Sequence, residues 1–226
     1  MKVLAVADTE EKILWDFFDR ELVKDVDLII SCGDLSPHYL EFLESMLNVP
    51  LLYVRGNHDT VYEKTPPLGC ICIEDQIYDF HGLRILGLGG SMRYKPGPNM
   101  YTEKEMQGRL RKLKPRIAFM NGFDMLVTHA PARGFGDLDD LPHHGFETFN
   151  SLMESQKPAF MLHGHVHQSY GRIERNHMHP GGTRIINVNG YQILEIGDEH
   201  HPKKGHTGSV LYDLMVNMKK GRRGDL

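Results

Sequence analysis

Residues 161–168 read MLHGHVHQ, which sets His163, His165 and His167 around one glycine. An imidazole takes a proton near neutral pH or binds a transition metal through a ring nitrogen. A single histidine is more often a packed or surface residue, so the cluster gains meaning only from what else the chain supplies. It supplies Asp8 and Glu10 in ADTE, Asp34 in CGD, Asn57, His58 and Asp59 in GNHD, and His129 in THAP. Carboxylate oxygens, an amide oxygen and imidazole nitrogens together suit first-row divalent cations.

These residues stand where strands should end. Short runs rich in Val, Ile and Leu at 2–7, 26–31, 50–54, 84–88, 124–128 and 159–162 read as buried strands. Open α/β sheets place their sites beyond the carboxyl ends of strands. Gly-Asp and Asn-His-Asp are also ordinary turn residues, yet a succession of such strand ends delivers metal-grade donors to one rim. A further run at 183–196 breaks at Asn189-Gly190, which predicts a hairpin between two strands.

Helical patterns lie between the strands. Ile13, Leu14, Phe17, Phe18 and Leu22 make one apolar face. Residues 36–47 start with a Ser cap and Pro, 102–113 open with a capping box from Thr102 to Glu105, and 145–155 group Phe146, Phe149, Leu152 and Met153. This alternation with an antiparallel close predicts an α/β sandwich. A domain over 1–196 is expected, followed by a tail over 197–226. That tail is read as partly mobile, with a short helix at 209–218 presenting Val210, Leu211, Leu214 and Met218.

Composition narrows the function. The 226 residues are 40% hydrophobic and 25% charged, as in an ordinary globular protein. A net charge of −4 gives no case for a nucleic-acid or anionic-membrane partner. No apolar run approaches the ~20 residues of a membrane span, and MKVLAVADTEE reads as a first strand, not a signal peptide. The three cysteines, Cys32, Cys70 and Cys72, make no disulfide framework, and Cys70 and Cys72 read as alternate positions on a short strand. A cytoplasmic location is expected.

Taken in order, Gly33-Asp34, Gly56-Asn57-His58-Asp59, His129 and Gly164-His165-x-His167 resemble the motifs of the calcineurin-like metallophosphoesterase family. The resemblance runs over about residues 1–190. It implies a two-sheet β-sandwich flanked by helices, four layers αββα, with two divalent ions at the rim. Asp8, the residue at position 10, Asp34 and His167 would hold the first ion. Asp34 would bridge to a second ion completed by Asn57, His129 and His165. His58 would stand by the substrate and protonate the leaving alkoxide, and Asp59 would fix its tautomer. His163 is read as a packed or supporting residue.

The resemblance implies hydrolysis of a small-molecule phosphate mono- or diester by in-line attack of a hydroxide shared between the ions. One position departs from the pattern: the family has D-x-H after the first strand, and here it is Asp8-Thr9-Glu10. A Glu10 carboxylate would favour hard cations, so Mn²⁺ or Fe is preferred, with Zn²⁺ or Mg²⁺ also compatible. Glu10 as a helix-starting acid, or a vestigial first site, are the alternatives. The competing function is a weakened family member that binds a metal or phosphate ligand as a regulator. The Gly/Pro-rich loop 89–101 is read either as overhanging the site, with Arg93 or Tyr94 touching a substrate phosphate, or as simply solvated. The basic run from Arg109 to Arg116 reads as a solvated helix face.

Overall fold

The computed structural model describes residues 1–167 and 174–223. Its strands are β1 (Lys2–Ala7), β2 (Leu28–Ser31), β3 (Leu51–Tyr53), β4 (Ile71–Cys72), β5 (Gln76–Phe80), β6 (Leu83–Leu88), β7 (Ser91–Met92), β8 (Met100–Tyr101), β9 (Met125–Thr128), β10 (Phe160–His163), β11 (Asn176–Met178), β12 (Arg184–Asn187) and β13 (Gly190–Glu195). The helices are α1 (Pro37–Leu47), α2 (Glu103–Phe119), α3 (Glu147–Gln156) and α4 (Val210–Arg223). One sheet has the order β13-β1-β2-β3-β4 and the other β11-β12-β10-β9-β6-β5, with β7 and β8 as a separate pair. The inner pairings are parallel, while β13, β11 and β5 run antiparallel to their neighbours.

Alternation along β1 shows how the layers form. Val3, Ala5 and Ala7 join Leu28, Ile30 and Leu52 against Ile85, Val127, Leu162 and Ile186 of the other sheet. Leu4 and Val6 face the opposite way, onto Leu14, Tyr39, Leu40 and Leu43. On the far side, Leu86, Leu126, Met161 and Ile185 pack against Met106, Ile117, Phe149 and Met153 of α2 and α3. Both faces of each sheet are thus covered, which is why the strands read as continuous apolar runs. This is the four-layer αββα sandwich, with the sheet-to-sheet core at its centre.

Helix ends follow their local chemistry. Ser36 Oγ accepts the Tyr39 amide at 3.2 Å to start α1, and Thr102 and Glu105 close the capping box of α2. Phe146 gives α3 no side-chain cap, and the Glu103 carboxylate of α2 accepts the Glu147 and Thr148 amides instead, at 3.1 and 2.7 Å.

Two expectations fail. The helix foreseen over 13–22 is only a 3-10 turn at Lys12–Leu14: Leu14 is buried and Phe18 and Leu22 pack beside it against the cluster around Tyr39 and Leu43, while Phe17 stays 73% exposed. Asn189-Gly190 is not a hairpin. β12 belongs to the second sheet and β13 to the first, so the chain switches sheets there. The corner is held by the Val188 amide on His163 O at 2.8 Å and the Asn189 amide on Asn187 Oδ1 at 2.9 Å. Beyond it, α4 docks through buried Tyr212 and Val216 and leaves Val210, Leu211, Leu214 and Met218 exposed. No described helix is long and apolar enough to cross a membrane.

Candidate metal centre

Asp8 follows β1, Asp34 follows β2, Asn57 follows β3, His129 follows β9 and His165 follows β10, so both sheets feed one rim. Asp8, Asp34 and His165 hold left-handed backbone, with φ of 63°, 58° and 70°. That conformation costs a non-glycine residue roughly 1–2 kcal/mol, and it clusters at functional sites. Two glycines let the loops close over the carboxylates. A Cβ on Gly56 would lie 2.0 Å from Asp34 Oδ1, and one on Gly164 would lie 2.6 Å from Asp8 Oδ2.

His129, fully buried, organises the centre. Its Nδ1 lies 2.8 Å from Cys32 O, and a carbonyl only accepts, so Nδ1 carries a hydrogen and Nε2 faces the site. Around that Nε2 stand Asn57 Oδ1 at 3.0 Å, His165 Nδ1 at 3.1 Å and Asp34 Oδ2 at 3.2 Å. His165 is oriented by the same device, with Nε2 2.7 Å from Pro142 O. Four lone-pair atoms therefore converge with their tautomers set from behind, the arrangement that metal-binding imidazoles show. Ligand atoms of Asp34, His129 and His165 all lie within 4.8 Å of one another.

Electrostatics reports the same crowding. Burial opposes charge on His129, but Asp34 and then Asp8 overcome it and raise its pKa to about 9. Burial likewise opposes charge on Asp34, and His129 with the His58 amide outweighs it, taking Asp34 to about 2. Burial and then His129 press His165 down to about 3. Without a cation, one proton on His129 is what keeps the acceptors together. A divalent ion suits the same place, so the residues fit a metal.

The other expected residues are placed less uniformly. Asp8 has a fully buried side chain whose two oxygens accept the His165 amide at 3.0 and 2.9 Å, and His167 Nε2 lies 3.9 Å from its Oδ1. Burial chiefly raises the Asp8 pKa. Glu10 is exposed, and its Oε1 accepts the Ser36 amide at 3.0 Å. His58 is exposed, and its amide donates to Asp34 Oδ1 at 2.8 Å. Asp59 does not make the foreseen contact with the His58 ring. Its Oδ2 accepts the Gly56 and Asp34 amides, at 2.7 and 2.8 Å, tying two ligand loops together. Burial and then Asp34 raise Asp59 to about 6. The Arg93 guanidinium is engaged by Glu105 at 3.0 Å and by Met100 O at 3.1 Å. His163 is packed, fully buried, with Nδ1 3.0 Å from Gly164 O.

One contributor escaped sequence reading. Asn189 Nδ2 lies 3.4 Å from both Asp8 Oδ2 and Thr9 Oγ1, behind the first ligand loop. Its signal was the Asn-Gly pair, which reads equally well as a hairpin.

A four-layer sandwich with carboxylate, amide and imidazole donors on its strand ends defines a metallophosphoesterase architecture. The family model of the calcineurin-like phosphoesterase superfamily domain matches residues 1–212, and the chain belongs to that superfamily. Among curated proteins it is similar to two from Caenorhabditis elegans. UPF0046 protein C25E10.12 is 22% identical, over 83% of this chain and 74% of that protein. UPF0046 protein K07C11.7 is 23% identical, over 83% of this chain and 69% of that protein. Among solved structures, TT1561 of Thermus thermophilus shares the fold with a TM-score of 0.64 at 15% identity, covering 85% of this chain and 93% of that one.

Proposed function

We propose that the protein is a metal-dependent phosphoester hydrolase acting on small phosphate mono- or diesters. The observation that carries this reading is the convergence of Asp34 Oδ2, Asn57 Oδ1 and His165 Nδ1 on His129 Nε2 at 3.0–3.2 Å. These residues would hold one ion. Asp8, Glu10, His167 and the shared Asp34 would hold another, with Mn²⁺ or Fe favoured by the oxygen-rich set. When bound, the ions lower the pKa of water and neutralise phosphoryl charge.

The chain's own groups do the rest. Asp59 fixes the Asp34 and Gly56 loops, Cys32 O and Pro142 O orient the two imidazoles, and exposed His58 protonates the leaving oxygen. Purified protein loaded with Mn²⁺ is to be screened against a panel of phosphate mono- and diesters. Turnover that disappears with chelator supports the reading, and none on any ester at full metal loading contradicts it.

A second reading rests on Glu10 and Asp8. Both carboxylates accept backbone amides, from Ser36 and His165, which favours a protein with only the His129 site filled. Such a protein would bind a phosphate ligand without hydrolysing it, and would saturate at one ion per chain.

A further inference from the structure

A cavity of about 480 Å³ opens beside the centre, with Asp34 and His58 in its wall. That size is in the range of small-molecule sites. Its apolar lining comes from Leu35, Pro37 and Val61, at the start of α1 and on the 3-10 turn Asp59–Glu63. Its ionisable lining is Asp34, Asp59 and Glu41 with the imidazoles of His38 and His58, and none of the residues that line it is a lysine or arginine.

Of the three acids, Glu41 is the one away from the ligand loops. Its Oε1 accepts the Leu68 amide at 2.8 Å and its Oε2 lies 3.3 Å from His38 Nδ1. The Leu68 hydrogen bond chiefly lowers its pKa, so it is a fixed negative charge at neutral pH.

We infer that this cavity is the leaving-group pocket of the proposed hydrolase, taking a neutral or cationic group with an apolar body and rejecting one that carries its own anion. The inference rests on that proposed activity. In the reaction, water oxygen forms the new bond to phosphorus and the bond from phosphorus to the ester oxygen breaks. The departing oxygen keeps the electron pair and takes a proton from His58, the surplus proton of the attacking water passes to solvent, and a monoester gives phosphate and a free alcohol. The alcohol's body then lies on Leu35, Pro37 and Val61, where a second phosphate or a carboxylate would meet Glu41 with no lysine or arginine in the lining to answer it.

The test uses the full, Mn²⁺-loaded chain and two probes of equal shape, 4-carbamoylphenylphosphonate and 4-carboxyphenylphosphonate, titrated calorimetrically. The neutral probe should bind about fivefold more tightly, the scale of one like-charge contact at about 4 Å in water-like dielectric. Val61→Lys puts a cation on an exposed wall position and should close most of that gap without moving the thermal melt; Glu41→Gln should narrow it. Equal affinities in the parent, or a gap untouched by both variants, would overturn the inference.

The matching phosphate esters separate it from the activity itself. Turnover of both esters at equal kcat/KM sinks the pocket and leaves the hydrolase. Discrimination in binding with no turnover sinks the hydrolase and leaves a charge-selective ligand pocket. Failure of both probes to bind overturns the pocket, and the hydrolase as well only if no ester is turned over.

Discussion

His129 Nε2 lies 3.2 Å from Asp34 Oδ2 although the two residues come from different sheets, and each holds the other in its charged form. The pair is therefore both the seam of the sandwich rim and the heart of the centre. Removing either partner strands a charge in a buried site, which is costly.

Without metal, this pair and its neighbours set a pH signature. His129 has its folded pKa raised from the ordinary value near 6.5 to about 9, so its stabilisation is complete below 6.5 and fades as pH rises to 9. His163 and His165 are depressed, to about 4 and about 3, so they withdraw stability as pH falls from 6.5 toward those values. Chelator-treated protein should melt highest near pH 6.5 and lose several degrees on each side. Mn²⁺ should raise the melt most on the alkaline side, where no proton competes for His129. A melt of chelator-treated protein that keeps climbing from pH 6.5 to 9 would contradict the assigned charges.

Ligand and catalyst should separate on mutation. His58→Ala is expected to cut turnover by ~10²–10⁴-fold, the usual worth of a general acid, with metal content unchanged. Asp34→Ala should lose both. Metal analysis beside rate measurement checks this, and an empty centre in His58→Ala would mean that its role is wrongly assigned.

Gly56→Ala should be poorly tolerated. A Cβ there sits 2.0 Å from Asp34 Oδ1 and 2.7 Å from His129 Cε1, and overpacking of this kind costs about 1–3 kcal/mol. Denaturant melts and metal titration should show lower stability and weaker binding together. Normal metal affinity in this variant would show that the loop can move aside.

These sites illustrate what residue pattern conveys and what it leaves open. The strand runs were legible because helices cover the outer face of each sheet, so β1 and β9 carry apolar residues on both sides. Asp34, Asn57, His129 and His165 were legible as donor types placed at strand ends. What the Asp59 carboxylate contacts was not, because a side chain in a turn can reach its neighbour's ring or a backbone amide with equal ease. Asn189-Gly190 misled for a related reason: a tight turn suits a hairpin and a change of sheet alike. Of the apolar residues at 13–22, Leu14, Phe18 and Leu22 do pack on the cluster around Tyr39 and Leu43, and a local pattern does not report that such packing can form without a helix.

In the proposed dinuclear reading, Glu10 is the residue on which the first metal site turns. Glu10→Ala should drop stoichiometry from two ions to one, while Asn57, His129 and His165 keep the other ion bound. Unchanged stoichiometry would leave Glu10 as no more than the acceptor of the Ser36 amide.

The most direct measurement is titration of metal-free protein with Mn²⁺, followed by electron paramagnetic resonance and by elemental analysis at saturation. Two ions per chain with a spin-coupled spectrum, as expected for a pair about 3.5–4 Å apart, is the result that supports a dinuclear phosphoesterase. Saturation at one ion per chain with an isolated Mn²⁺ spectrum would contradict it.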